Sequence, residues 1–361
     1  MKTAVPLLPG NGRFFINPSP SAKMQPHIPR KVPMKLRTFG TTDLQVTPIG
    51  LGLAALGRPG YINLGHAQDL EADYDVATME ARTHRVLDAA WATGIRYFDA
   101  ARSYGRAEAF LGSWLTSRQI PVAEVTVGSK WGYTYTADWQ IEAEDHEIKE
   151  HSLPVLQRQI QESRDLLGNY LDLYQIHSAT LDSGVLTNEA VLSKLAQLKH
   201  DGLKIGLSLS GKKQEETLKR ALAVKFGDGS LLFDSVQATW NLLEQSAGEA
   251  LQTAHEAGLG VIVKEALANG RLTPRSTETK MTLLQSVADE KGTTVDALAL
   301  AAVLAQPWVD VVLSGAATVE HLESNVTAVT LDIDGETWNR LQPLREEPEA
   351  YWQTRSQLAW N

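Results

Sequence analysis

Between residues 48 and 314 the chain alternates eight times between two kinds of segment, and this alternation limits the fold more than any other feature. One kind is a short, nearly unbroken apolar run that reads as a β-strand: 48–53, 95–99, 125–130, 171–177, 204–209, 234–238, 260–264 and 310–314. The other kind is amphipathic, with apolar residues at three- and four-residue spacing, for example 83–93, 153–167, 189–200, 214–223 and 247–257. Gly94, Gly202 and Gly258 stand where such helices should stop. Strands that are apolar along their whole length are covered on both faces, as parallel strands are. Eight such units predict a closed barrel in preference to an open sheet. The expected fold is therefore α/β, a single (β/α)8 TIM barrel over 34–361. It opens with a β-hairpin turned at Gly40–Thr41–Thr42, ahead of the first barrel strand. Length alone, at 361 residues, would have suggested two domains.

Two stretches interrupt the rhythm, 54–78 and 131–152. Both follow strands, so both should form long loops at the C-terminal face, where barrels of this kind build their sites. The second carries Tyr133, Tyr135 and Trp139, as pocket walls or as packing for the loop itself. Residues 1–33 are different again: five basic side chains, several prolines and no acid. They read as a disordered extension ahead of a domain opening at Met34. A targeting peptide is the other reading, although no signal-type apolar core is present.

Composition removes several function classes. A net charge of −9 argues against nucleic acid or an anionic membrane as the main partner. The absence of cysteine excludes disulfides, thiolate nucleophiles and Cys-ligated zinc. The apolar run 297–305 is far short of the ~20 residues a membrane helix needs. The expected partner is a small molecule, and the expected location is the cytoplasm, with targeting left open by the extension. Oligomeric state is not legible.

Four polar residues fall at or just past the ends of successive strands: Asp99, Tyr104, Lys130 and His177, in the strings RYFDAARSYG, VTVGSKWG and DLYQIHSAT. Reducing a carbonyl requires hydride at carbon and a proton at oxygen. A free phenol titrates near 10 and donates poorly at neutral pH. A neighbouring ammonium such as Lys130 would lower that value, with Asp99 holding the lysine in place. His177 would orient the carbonyl oxygen or share proton delivery. Each residue has a plainer reading alone: a helix cap, a turn, a structural imidazole. Together, at one face of a barrel, they read as catalytic.

Over nearly all of 34–330 the chain resembles the aldo-keto reductases. The resemblance rests on Asp99, Tyr104–Gly105, Lys130 and His177, and most specifically on DAARSYG and YQIH. It implies NAD(P)-dependent interconversion of a carbonyl (aldehyde, ketone or sugar) and an alcohol, with Tyr104 as general acid/base. It also implies nicotinamide contacts at Ser208 and Gln237. Leu209 stands where the family has an Asn, and Lys264 where it often has an aromatic ring. The segment LSGAATVEHLESNV resembles the family's phosphate and adenine site, which implies contacts at Gly315, Thr318, His321 and Asn325. His321 occupies the place of an Arg that many members use for the 2′-phosphate of NADP, and residues 314–325 hold no Lys or Arg. NADP is the cofactor the family favours, with NAD as the alternative. Lys212, Lys213, Arg271 and Arg275 are the basic residues able to compensate.

Candidate pocket residues are Arg102, Trp131, Tyr133 and Trp240. GLGLAALG has the wrong spacing for a dinucleotide fingerprint, and HEIKEH has the wrong spacing for a metal site, so no metal is expected. The rival function is a cofactor-binding regulatory subunit of the same fold with little turnover.

Overall fold

A computed structural model describes Met1 and residues 34–361, and the expectation for 1–33 lies outside the described residues. The hairpin is present, with β1 (Arg37–Thr38) antiparallel to β2 (Gln45–Val46). The barrel strands are β3 (Ile49–Gly52), β4 (Tyr97–Asp99) and β5 (Thr126–Trp131), then β8 (Leu171–Ala179) and β9 (Lys204–Leu209). They continue with β10 (Ser235–Thr239), β11 (Gly260–Lys264) and β12 (Val311–Ser314). All pair in parallel, and β12 closes onto β3. An eight-stranded parallel barrel is thus formed, and each apolar run named above supplies one strand.

The helices begin where the sequence offers caps. The Asp75 carboxylate accepts from the Thr78 amide at 3.0 Å to open the helix Val76–Thr93, which ends at Gly94 with φ +96°. Ser152 opens Leu153–Leu167 and Asn188 opens Glu189–His200 in the same manner. Helix Val295–Leu304 is buried on almost every side, among residues of helices Met281–Glu290, Gly335–Leu341 and Pro348–Ser356.

The hairpin plugs one end of the barrel. Phe39 and Val46 pack with Tyr97, Leu173, Ile262 and Val311. Contact here is tight: a Cβ on Gly40 would lie 2.4 Å from the Gly260 amide nitrogen, and one on Gly260 would lie 2.4 Å from the Phe39 ring. No helix among the described residues is long and apolar enough to cross a membrane.

Two segments differ from expectation. The first barrel helix begins at Val76, seven residues ahead of the predicted 83. The stretch 131–152 contains a second hairpin, β6 (Tyr133–Tyr135) against β7 (Glu147–Lys149). The stretch that ends at Asp75 is mostly irregular, with one short helical turn at His66–Asp69.

Candidate active site

Asp99 is the last residue of β4 and the centre of a polar lock. Its Oδ1 pairs with the fully buried Lys130 ammonium, which also donates to the Ala100 carbonyl at 2.9 Å. Its Oδ2 accepts from the Tyr97 hydroxyl (3.2 Å), Gln175 Nε2 (3.2 Å) and Gln237 Nε2 (3.0 Å). A buried carboxylate and a buried ammonium are tolerable only when paired and hydrogen-bonded, and here the pair is made and each member has at least one further hydrogen bond.

Tyr104 stands on the turn after β4, seated against the loop after β3. Gly105 has φ +58°, and a Cβ there would meet the Gly57 carbonyl at 2.4 Å. A Cβ on Gly57 would meet the Tyr104 carbonyl at 2.2 Å. These two glycines let the loops interlock and fix the phenol. Lys130 Nζ lies 5.0 Å from the Tyr104 ring centroid, and the His177 ring stands perpendicular to it at 5.4 Å. The four strand-end residues singled out in the sequence are therefore together at one end of the barrel.

The electrostatics differ from the sequence-based expectation. Burial pushes the Tyr104 phenol well above its ordinary value, the Asp99 carboxylate adds to this, and the Arg58 guanidinium opposes it. Lys130 stands beside the phenol with Asp99 as its counter-charge, and burial remains the dominant influence on the phenol. Burial also holds the His177 imidazole well below its usual range, with Lys130, Lys264 and Arg58 acting in the same sense. At neutral pH the pair is a protonated phenol beside a neutral imidazole.

Beyond this core, one cavity of about 610 Å³ runs over the barrel mouth, within the ~300–1,000 Å³ range of small-molecule sites. Asp99, Tyr104, Tyr133 and His177 line it, as do Gln237, Gly315, His321 and Asn325. Tyr133 lies 4.9 Å from the His177 ring.

Six of the predicted residues do not line the cavity: Lys130, fully buried in its pair with Asp99, and five others. Ser208 is buried, and its Oγ accepts from the Ser178 amide at 2.8 Å. Thr318 caps the helix Val319–Val326 by accepting from the His321 amide. Arg102 is bound to Glu108 and Glu162. Trp131 follows the inward-facing Lys130 on β5, so it points outward and is buried in the main core, 5.6 Å from His151. Trp240 lies outside β10, stacked on Trp338 at 6.2 Å and edge-on to Trp308.

Sequence reasoning missed the walls that distant loops supply. Arg58 sits 5.3 Å from the Tyr104 centroid and 4.7 Å from that of Trp360, and pairs with Glu147 at 2.9 Å. Arg355 grips Glu265, whose carboxyl burial would raise but which Arg355 and Lys264 hold at about 2. Burial lowers the Lys264 ammonium to about 8, and it donates to Thr239 Oγ1 at 2.8 Å. Nothing in the local sequence around Arg58 or Arg355 signals these contacts, because they join residues far apart in the chain. Ser178 (φ +51°) and Glu265 (φ +54°) also line the cavity in left-handed backbone, the sort of strain that collects at functional sites.

The cavity suits an elongated polar ligand. Asn325 Oδ1 is buried with no partner among the described residues, while its Nδ2 donates to Ser314 Oγ at 2.9 Å. Gly315, beside it, has open space where a Cβ would stand. An orphaned acceptor next to an unfilled backbone cradle fits a nucleotide-sized group.

Two further imidazoles give a stability prediction. Burial lowers His66 and His151 from 6.5 to about 4. Between those values the unfolded chain holds protons that the folded chain refuses, so stability falls as pH drops through that window. The expected loss is a few kcal/mol in total. Urea midpoints that stay level from about pH 7 to about pH 4.5 would contradict it.

The sequence profile of the Aldo/keto reductase family matches residues 48–346. The chain is 26% identical over 330 residues to L-galactose dehydrogenase of Arabidopsis thaliana, covering 87% of this chain and 95% of that protein. It is 24% identical over 321 residues to the uncharacterized oxidoreductase YqkF of Bacillus subtilis, covering 82% and 91%. In fold it is similar to an aldo-keto reductase of Bacillus halodurans in its holo form, with a TM-score of 0.66, 23% identity, and coverage of 87% and 97%.

Proposed function

The chain belongs to the aldo/keto reductase family, and from that premise we propose that it interconverts a small carbonyl compound and its alcohol with a nicotinamide dinucleotide, Tyr104 carrying the proton. The observation that carries this reading is that the Tyr104 phenol and the His177 imidazole stand edge to face, 5.4 Å apart, and both line the cavity.

The dinucleotide, when bound, supplies or accepts the hydride. Asn325, His321, Gly315 and Gln237 are the residues that would hold it. Tyr104 presents its hydroxyl proton to the carbonyl oxygen and takes it back in the reverse direction. Its high proton affinity keeps that proton in place until negative charge develops on the oxygen. His177, kept neutral, supplies a hydrogen bond that orients the oxygen. Lys130 stabilises the phenolate that remains after transfer, and Asp99 fixes Lys130 below the ring. Arg58, Tyr133 and Trp360 wall the space above and exclude water from it.

The test is to mix the purified chain with reduced nicotinamide cofactor and a panel of aldehydes, ketones and aldoses, then follow cofactor oxidation. Turnover on any member supports the proposal. Tight cofactor binding without turnover on the whole panel would favour a regulatory subunit instead.

A further inference from the structure

We infer that this cavity takes NAD(H) and rejects NADP(H), and that Asp69, by occupying Arg275, sets the choice. This rests on the reading above that a nicotinamide dinucleotide occupies the cavity. NADP differs from NAD by one phosphomonoester, which carries between one and a half and two negative charges near neutral pH. Moving such a group out of water requires cations or donors with nothing else to bind.

The cavity offers no free cation among its described residues. Six carboxylates line it, on Asp69, Asp99, Glu147, Glu265, Asp296 and Glu320, against four Lys or Arg side chains. Each of the four is engaged. Arg58 pairs with Glu147, and Arg355 and Lys264 share Glu265. Arg275 grips both oxygens of Asp69 and also donates to the carbonyls of Leu64 (3.0 Å) and Gly65 (3.2 Å). The basic residues of other loops do not supply the missing cation. Lys212 pairs with Glu349, Arg271 pairs with Glu278 and Glu346, and Lys213 is exposed and does not line the cavity.

The end of the cavity near Asn325 is the most acidic part. His321 Nδ1 lies 3.9 Å from Asp69 Oδ2, and Glu320 is its neighbour in the chain. Thr294 and Ser324 share a hydrogen bond of 2.9 Å, which ties the start of helix Val295–Leu304, where Asp296 stands, to helix Val319–Val326. Neither Asp296 nor Glu320 pairs with a cation among the described residues. Carboxylates in such a setting accept hydrogen bonds from ribose hydroxyls and repel a phosphate in their place.

The experiment is a fluorescence titration of the full chain with NADH and with NADPH at neutral pH and physiological ionic strength. NADH should bind roughly tenfold or more tightly than NADPH. Asp69→Asn leaves the Arg275 guanidinium uncompensated, so NADPH affinity should rise by roughly fivefold or more, with less change for NADH. Asp69 also ties two loops together, so His321→Arg provides a second route. One carboxylate cannot neutralise two guanidiniums, and the NADH-to-NADPH preference should shrink in the same direction. NADPH binding as tightly as NADH to the unmodified chain would overturn the inference. An NADH preference that neither folded variant moves would overturn the assignment to Asp69. If neither nucleotide binds the unmodified chain, the function proposed above fails, and this inference fails with it.

Discussion

Tyr104→Phe is expected to lower carbonyl turnover by about 10²–10⁴-fold, the usual contribution of a positioned general acid, while cofactor affinity and folding stay close to those of the unmodified chain. Phe keeps the ring that packs edge-on to His177 and beneath Arg58, so the cavity walls are preserved. Only the proton donor is lost. The measurement is steady-state turnover on the best substrate of the panel, with nucleotide titration and a urea curve alongside. A turnover loss under tenfold would remove Tyr104 from the acid/base role and leave the neighbouring imidazole as the group to test.

Lys130→Met is expected to act on both chemistry and stability. The Lys130 ammonium is fully buried and pairs with Asp99. Removing it leaves a carboxylate out of water with three neutral donors and no counter-charge. Breaking one side of such a pair costs about 3–5 kcal/mol. Adding Asp99→Asn to Lys130→Met removes the orphaned charge and should restore much of that stability, because the amide oxygen can still accept from two of the three donors. Turnover should not return, since nothing then stabilises the phenolate. Urea midpoints of the single and double variants decide the first point, and turnover decides the second. Recovery of activity in the double variant would show that Lys130 serves only to neutralise Asp99.

The barrel was legible because parallel strands covered on both faces leave continuous apolar runs. Lys204–Leu209 and Gly260–Lys264 agree with their predicted limits. The early start of helix Val76–Thr93 was missed because only Met79 is buried in its first turn and a half, so the apolar rhythm sets in late. The hairpin of Tyr133–Tyr135 and Glu147–Lys149 leaves no strand pattern in the sequence, because its strands are three residues long with no buried face. The four strand-end residues were legible since their residue types have few other joint explanations. The pocket walls were harder. Trp131 and Trp240 follow inward-facing positions, and strand alternation turns them away from the mouth. Arg58, Arg355 and Trp360 reach the cavity through contacts between distant loops that no local pattern encodes.

The lock on Asp99 joins strands from opposite sides of the barrel: its partners stand on β4, β5, β8 and β10. A slip of one residue in any of these strands would turn its contributing side chain to the other face of the sheet. Such a chain could still bury much of its apolar surface, yet it would lack the fixed ammonium beneath Tyr104. On the chemistry proposed above, turnover would report folding as well as catalysis: a misregistered barrel is expected to be silent, so the active fraction of a refolded sample should count the molecules that closed in register.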